Sequence, residues 1–341
     1  MANYHGIELA AEEVVALEEL EELLRDKTTP EKEEVSLEEA IEELMRIEIP
    51  LVKKIKKKTF GYKVEEGKIV EIGLHNKRLT TLPESLSKLS LEKINLKENE
   101  FVTIPSKVSA KICSIRNWEW KNLKGTDLKA IQDLSIIIEK KIPLVEEMKE
   151  KTFGYKAEEG KVVKIGLHKK GLTTLPESLS KLTSIEKINL KNNKFVAIPS
   201  TVSAKICSIR NWEWKNLKGT DLNVIQELSI FINKKIPPVE TIEEITEYIF
   251  GYYAEEGKIR GIGITGYSTF YDNRFVTLPE GIGDLTSLTI LLLGYNTLKA
   301  LPSSFDKLIN LKALYLKGNN ANILPEKAIQ QLKDQGCEII T

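Results

Sequence analysis

Three sets of residues in this 341-residue chain have types and spacings that could do chemistry. The first is GYKVEEGK, GYKAEEGK and GYYAEEGK, beginning at Gly61, Gly154 and Gly251, where two glycines and a lysine suggest a phosphate cradle. A P-loop needs four residues between its glycines and a Ser or Thr after its lysine. Here five intervene and Ile or Val follows, so a β-hairpin turning at Glu-Glu-Gly accounts for all three copies. The second set is His75 and His168, one duplicated position, with Cys113 and Cys207, another. No CxxC and no ligand-spaced His accompanies the cysteines, so they read as buried small hydrophobes, and Cys337 as part of a closing coil. The chain has only three His, so no Ser–His–Asp constellation is supported, and the duplicated pair reads as surface residues. The third set is Lys53, Lys54, Lys56, Lys57 and Lys58, which could hold phosphate or a membrane surface. Its counterpart VEEMKEK, at 145–151, breaks the run, which therefore reads as a solvated helix face or a place for an acidic segment of the same chain. No catalytic residue, metal ligand or cofactor is expected, and the chain reads as a non-enzyme.

Composition narrows the classes further. Hydrophobic residues make up 41% and charged residues 29%, with 20 Gly and 12 Pro, which excludes collagen-like and wholly disordered chains. No apolar run approaches the ~20 residues of a membrane span, and the start MANYHGIELAAEE lacks signal-peptide anatomy. Three Cys point to a reducing, cytoplasmic setting. Net charge is zero, yet residues 1–50 hold 16 acids against 4 bases, leaving the remainder with 34 acids and 46 bases. That division suggests that residues 1–50 dock electrostatically on the rest. A balanced chain gives no support for nucleic acid as a partner.

These residues sit in repeats. AKICSIRNWEWKNLKGTDL occurs at Ala110–Leu128 and again at Ala204–Leu222. TFGYK at Thr59 recurs at Thr152, and IFGYY at Ile249 is a diverged third copy, so the blocks are 93 and 97 residues apart at their glycines. Inside the blocks a shorter period appears. Leu278-Pro279, Leu301-Pro302 and Leu324-Pro325 are spaced by 23, as are Leu175-Pro176 and Ile198-Pro199, while Leu82-Pro83 and Ile104-Pro105 are spaced by 22. Between these landmarks runs L-x-x-L-x-L-x-x-N-x-L, with its Asn at Asn99, Asn193, Asn296 and Asn319. Asn273 is a further candidate for the same ladder.

This spacing describes a short strand followed by a turn. The middle L-x-L puts two side chains on one strand face. The Asn amide satisfies backbone groups where the chain bends away. Leu-Pro starts a return leg that needs no N–H from its proline. One coil cannot bury its leucines alone, but stacked coils can.

LTTLPESLSKLTSIEKINLKNNKFVAIP and LPEGIGDLTSLTILLLGYNTLKALPSSFDKLINLKALYLKGNNANILP resemble leucine-rich repeats of the LP-containing, 23-residue kind. The lead-in FGYKVEEGKIVEIGL is similar to the hairpin before such arrays in archaeal members, and AIQQLKDQGCEII to their closing helix and strand. The resemblance covers about 60–118, 153–212 and 250–341. It implies an α/β leucine-rich-repeat solenoid with parallel strands, in three arrays interrupted by helical caps. It also implies a cytoplasmic scaffold for protein partners, with signalling proteins such as small GTPases as the analogy. Lys77 and Lys170 stand where the first coils should carry Asn, which marks those coils as caps, and block three inserts STFYDN before Arg274.

The expected organisation is an acidic helix and linker at 1–35, then three helical caps each with its repeat block, at 36–142, 143–236 and 237–341. Residues 8–26 carry Val14, Leu17, Leu20 and Leu24 on one helical stripe, and LRDKTTPEKEEVS reads as linker. GTDLKAIQDLSIIIEKKIP reads as a helix that Thr126-Asp127 could N-cap, and its duplicate follows in block two. Val145–Lys151, Thr241–Tyr248 and SLEEAIEELMRIEIPLVKKIKKK read as further short helices.

Two places could bind a partner. Trp118 with Trp120, and Trp212 with Trp214, alternate about a Glu, so on a strand both rings would share a face. They read as hydrophobic caps over an open coil, with partner anchors as the alternative. The adjoining Arg116 and Arg210 are the candidates for the alternative function, activation of a small GTPase by a donated arginine. The second place is block three's strand face. Blocks one and two put Glu92, Lys93, Asn95, Lys97 and Glu186, Lys187, Asn189, Lys191 at outward positions. Block three puts Ile290, Leu292, Tyr295 and Tyr315 there, with Tyr267, Phe270 and Tyr271 in the insertion. This reads as an exposed apolar partner surface centred on Leu292 and Tyr295, unless helices or the insertion cover it.

Overall fold

A computed structural model describes residues 2–25, 48–246, 249–266, 277–319 and 326–341. Much of the anticipated linker and of the helix read from SLEEAIEELMRIEIP, together with Tyr267, Phe270, Tyr271 and Asn273, lies outside the described residues. The chain divides into two compact units, one of residues 1–143, 158–162 and 175–183, the other of residues 144–157, 163–174 and 184–341.

In the first unit, strands β1 (Ala2–Tyr4) and β2 (Ile7–Leu9) pair antiparallel and lead into helix α1 (Ala11–Arg25). Strands β3 (Phe60–Glu65) and β4 (Lys68–Leu74) form a hairpin, and β5 (Lys93–Asn95) pairs parallel to β4. Helices α2 (Ser106–Ile115) and α3 (Gly125–Ile138) follow. The same sequence of elements recurs in block two: β6 (Phe153–Glu158), β7 (Lys161–Leu167), β8 (Lys187–Asn189), α4 (Ser200–Ile209) and α5 (Gly219–Phe231). Block three supplies β9 (Phe250–Glu255), β10 (Lys258–Ile264), β11 (Ile290–Leu292) and β12 (Ala313–Tyr315), closed by α6 (Glu326–Asp334) and β13 (Glu338–Ile340). These last strands make one sheet in the order β13-β12-β11-β10-β9, parallel except for the β9–β10 hairpin.

The three GYxxEEGK segments are hairpins. At each turn Glu and Gly both take positive φ, 50° and 73° at Glu66-Gly67, with near-identical values at Glu159-Gly160 and Glu256-Gly257. That is the backbone of a tight hairpin turn, for which Gly is the natural second residue. Gly73 and Gly166 meet a different demand: a Cβ there would lie 2.4 Å and 2.1 Å from the carbonyl oxygens of Thr59 and Thr152. The preceding Ile-Pro segment crosses each hairpin as a bridge, Leu51 to Tyr62, Leu144 to Tyr155 and Pro238 to Tyr252.

That crossing corrects three helix expectations. Val145 donates its N–H to Tyr155 at 2.9 Å, so Val145–Lys151 runs as extended chain and turn. The Lys53–Lys58 run takes the same course and is no helix face. In the described part of Thr241–Tyr248, residues 241–246, one 3-10 turn forms, Ile242–Glu244, opened by Thr241 with a capping box. Conversely, α2 and α4 fall where no helix was expected.

The coil leucines and isoleucines are buried, among them Ile72, Ile94, Ile165, Ile188, Ile262, Leu291 and Leu314. Each Asn at the strand exit bonds in two directions. Asn193 Oδ1 accepts Lys170 N–H at 2.9 Å and Leu172 N–H at 3.2 Å, and its Nδ2 donates to Leu167 O at 2.9 Å and Leu190 O at 2.8 Å. Asn99 makes the equivalent four bonds, and Asn296 and Asn319 donate to the carbonyls of two coils each. Asn193→Ala leaves these groups unpaired and is expected to cost on the order of 1–3 kcal/mol, read as a lowered urea midpoint. An unchanged midpoint would remove the Asn from the account of that coil.

A second stitch was not anticipated. Asp127, 1% exposed, accepts the N–H of Val162 at 2.7 Å, and Asp221 that of Ile259 at 2.8 Å. Glu13 on α1 does the same for Ile69 at 3.1 Å. Asp127 therefore holds the following hairpin rather than capping its own helix, whose N-cap is Lys124 without a side-chain bond. Glu13 of α1, Asp127 of α3 and Asp221 of α5 thus make the same bond to a backbone N–H of the hairpin that follows each helix.

Candidate functional site

In block three, strand β11 carries Ile290 and Leu292 on the face away from the leucine core. Leu292 is 8% exposed and Tyr315 5%, packed with Ile245 just after the 3-10 turn and bordered by Val239, Ile249, Tyr253, Ile290 and Tyr295. The expected solvent exposure of Leu292 and Tyr315 is thus corrected: the segment before β9 lies across them. Blocks one and two explain why. Asn95 Nδ2 donates to the carbonyls of Lys56 and Lys57 at 3.2 Å and 2.8 Å, and Asn189 Nδ2 to that of Glu150. The strand residue ties down the crossing turn in every block, by hydrogen bonds from Asn in two and by apolar contact from Leu in the third. Ile290 and Tyr295 remain partly exposed and pack against Ile245, Leu292 and Tyr315, which with Ile340 line a hollow of about 260 Å³. Tyr295 holds a left-handed conformation, φ 57°.

The Trp pairs do not lie on strands. They stand at 6.4 Å between centroids, edge to face, in the turn that follows the helix. Trp120 and Trp214 are core residues whose Nε1 donates to Ile142 O and Ile236 O, each at 2.8 Å. Trp118 and Trp212 are partly exposed and lie under the guanidinium groups of Arg116 and Arg210, at 4.9 Å and 4.7 Å. Burial lowers the pKa of both arginines. An arginine donated to a partner's active site has to reach out of its own protein, whereas Arg116 is 17% exposed and pairs with Glu139.

The remaining candidates are structural. Cys113 and Cys207 are buried, which pushes their thiols up to about 12. His75 is 10% exposed and its Nε2 lies 3.5 Å from Glu98, so it is not the surface histidine expected. Among the described residues no His, Cys, Asp and Glu cluster could hold a metal, and no helix is long and apolar enough to cross a membrane.

These coils fix the architecture: parallel strands stacked one coil on the next, a buried leucine ladder inside, and an Asn bonding across adjacent coils at each exit. The fold is of leucine-rich-repeat type. No protein-family model and no curated protein sequence matches the chain. Among solved structures it is similar to a leucine-rich-repeat protein of Leptospira interrogans, with 17% identity over 80% of this chain and 84% of that one, TM-score 0.21. An internalin from Listeria monocytogenes matches at 12% identity over 80% and 83% of the two chains, TM-score 0.18. The ectodomain of the Arabidopsis receptor kinase HAESA, in complex with an IDA peptide hormone, matches at 17% over 82% of this chain and 35% of that one, TM-score 0.18.

One buried carboxyl separates the repeats electrostatically. Asp133 on α3 accepts the hydroxyls of Ser109 and Ser178 at 2.7 Å and 2.8 Å and pairs with Lys129. Its equivalent on α5 is Glu227, where Asn223 and Gly281 replace that lysine and that second serine, and it accepts Ile198 N–H at 2.6 Å. Burial pushes Glu227 up to about 7, against the ordinary 4.5, with the Ile198 bond opposing the shift. A pKa raised on folding stabilises the protein below the unfolded value, and that stability is lost as pH rises from there through the folded value. Wild type should therefore lose about 3 kcal/mol between pH 4.5 and pH 8 that Glu227→Gln retains. Parallel pH–stability curves for the two proteins would contradict this.

Proposed function

We propose that this chain is a non-enzymatic scaffold that binds a protein partner through its strand faces, in the cytoplasm and in a signalling setting. The observation that carries the reading is block three's face. Ile290 and Tyr295, packed against the apolar cluster that lines the hollow, occupy the places where block two has Lys187 and Asn192. The hollow accepts one apolar side chain of a partner, and a partly exposed tyrosine on the cluster that lines it is a favoured anchor. Tyr267 and Tyr271 belong to the same proposed surface on sequence grounds. Each helix with the block after it, as limited in the sequence, is the proposed building unit.

The test is capture from native lysate by wild type and by the double variant Ile290→Lys, Tyr295→Asn. Lys is the residue of blocks one and two at the first position, and Asn tolerates the left-handed backbone at the second. A protein retained by wild type and lost from the variant, with equal melting curves, supports the reading. A partner held equally by both overturns it.

A further inference from the structure

Blocks one and two each carry a hollow of about 600 Å³ at equivalent residues, between the strand face, the crossing turn and the Arg-on-Trp corner. The two copies differ in one telling place. In block one, Glu139 follows α3 in a left-handed conformation, φ 55°, and its carboxylate bridges two cations: Lys97 Nζ at 3.0 Å and Arg116 Nη2 at 3.7 Å. In block two the same position is Asn233, φ 54°, which carries no charge. Among the described residues Arg210 accordingly has no carboxylate beside it, and its Nη1 is buried without a hydrogen-bond partner there. Lys191 turns to Glu150 instead, at 3.1 Å, and Lys187 lines the hollow together with Glu186.

An Arg that lines a hollow without the carboxylate its block-one equivalent has lacks a charge partner that a ligand could supply, and Arg on an indole face is already oriented to receive one. Block one shows the filled form of the same corner. We propose that the block-two hollow is a receptor for the carboxylate of a Glu side chain on a partner protein, with Arg210 as its fork and Glu139 as the internal image of that ligand. The apolar walls, Met148, Ile188 and Trp212 among them, favour a glutamate flanked by hydrophobic residues. This site is separate from the block-three hollow and stands if that hollow binds nothing.

The chain has seven arginines, so the Nε–Hε resonance of Arg210 is a resolvable probe by NMR. The titrant is a peptide capped at both ends, with one Glu between leucines, and its Gln counterpart is the control. The Glu peptide should shift Arg210 saturably, with the Gln peptide roughly ten- to hundredfold weaker. Asn233→Glu, whose backbone Glu139 already exemplifies, should fill the corner from within and abolish the response. Glu139→Asn should open block one and make Arg116 a second responding arginine. The variant Ile290→Lys, Tyr295→Asn should leave the titration unchanged, which keeps this result distinct from that of the block-three face. No response of Arg210 to the Glu peptide, or equal response in Asn233→Glu, would overturn the proposal. Glutarate or inorganic phosphate binding as tightly as the peptide would overturn it too, by making the corner a small-anion site.

Discussion

A chain lacking residues 1–25 is expected to lose the fold of block one. Leu9, Leu17 and Leu20 are fully buried and Leu24 nearly so. At on the order of 2 kcal/mol for each buried leucine, their removal costs about 8 kcal/mol, comparable with the whole stability of a small unit. The Glu13 bond to Ile69 and the acceptance of Ile49 N–H by Glu21, at 3.0 Å, go with them. Residues 2–25 are therefore held by an apolar interface, whereas the charge-driven docking that the composition of 1–50 suggested rests in part on residues 26–47, which lie outside the described residues. Hydrogen exchange separates the two accounts. Amides of β4 and β5 should exchange freely in the truncated chain, equally at low and high salt, while those of β10–β12 stay protected. Protection in β4 that survives the truncation, or falls only at low salt, would restore the electrostatic account.

Leu292→Glu is expected to destabilise block three by several kcal/mol. The carboxylate would sit under Ile245 beside Tyr315, where nothing described pairs with it, and an unpaired charge in an apolar site is among the costliest single changes. Leu292→Asn is the informative companion, because Asn95 and Asn189 hold the crossing turn by hydrogen bonds at this same position. It should cost distinctly less than Glu. Chemical denaturation followed by far-UV dichroism, with hydrogen exchange of the β10–β12 amides to localise the loss, measures both. Equal stability of Leu292→Glu and wild type would mean that the crossing turn does not cover β11.

The repeat period, the Asn positions and the three hairpins were legible because each is local: a turn chemistry or an alternation within a few residues. What lay outside sequence reading was long-range. Leu292 reads as outward from its strand alternation, and it does leave the leucine core, but the turn that covers it lies some 45 residues earlier in the chain. The signal was present in the other blocks, where Asn at that position is a residue able to bond a crossing backbone. Asp127 reads as a cap from its place at a helix start, yet its acceptor role is set by a hairpin 35 residues on. Helices α2 and α4 were missed because SKVSAKICSI follows Ile-Pro where the coil pattern anticipates another return leg. The difference between Glu139 and Asn233 stands in otherwise near-identical text, and it acquires meaning only once Arg116 and Arg210 are seen at the same corner.

The central claim, that the block-three strand face receives a partner, is tested most directly by photo-crosslinking from that face. A benzophenone side chain placed at Tyr295, which packs against the Ile245, Leu292 and Tyr315 cluster, is compared with one at Ile309, which is 64% exposed and outside that cluster. The account predicts one recurring crosslinked protein from Tyr295 in native lysate, suppressed by excess unlabelled wild type and unaffected by excess Ile290→Lys, Tyr295→Asn protein. The same crosslink from Ile309, or none from Tyr295 that wild type suppresses, would contradict it.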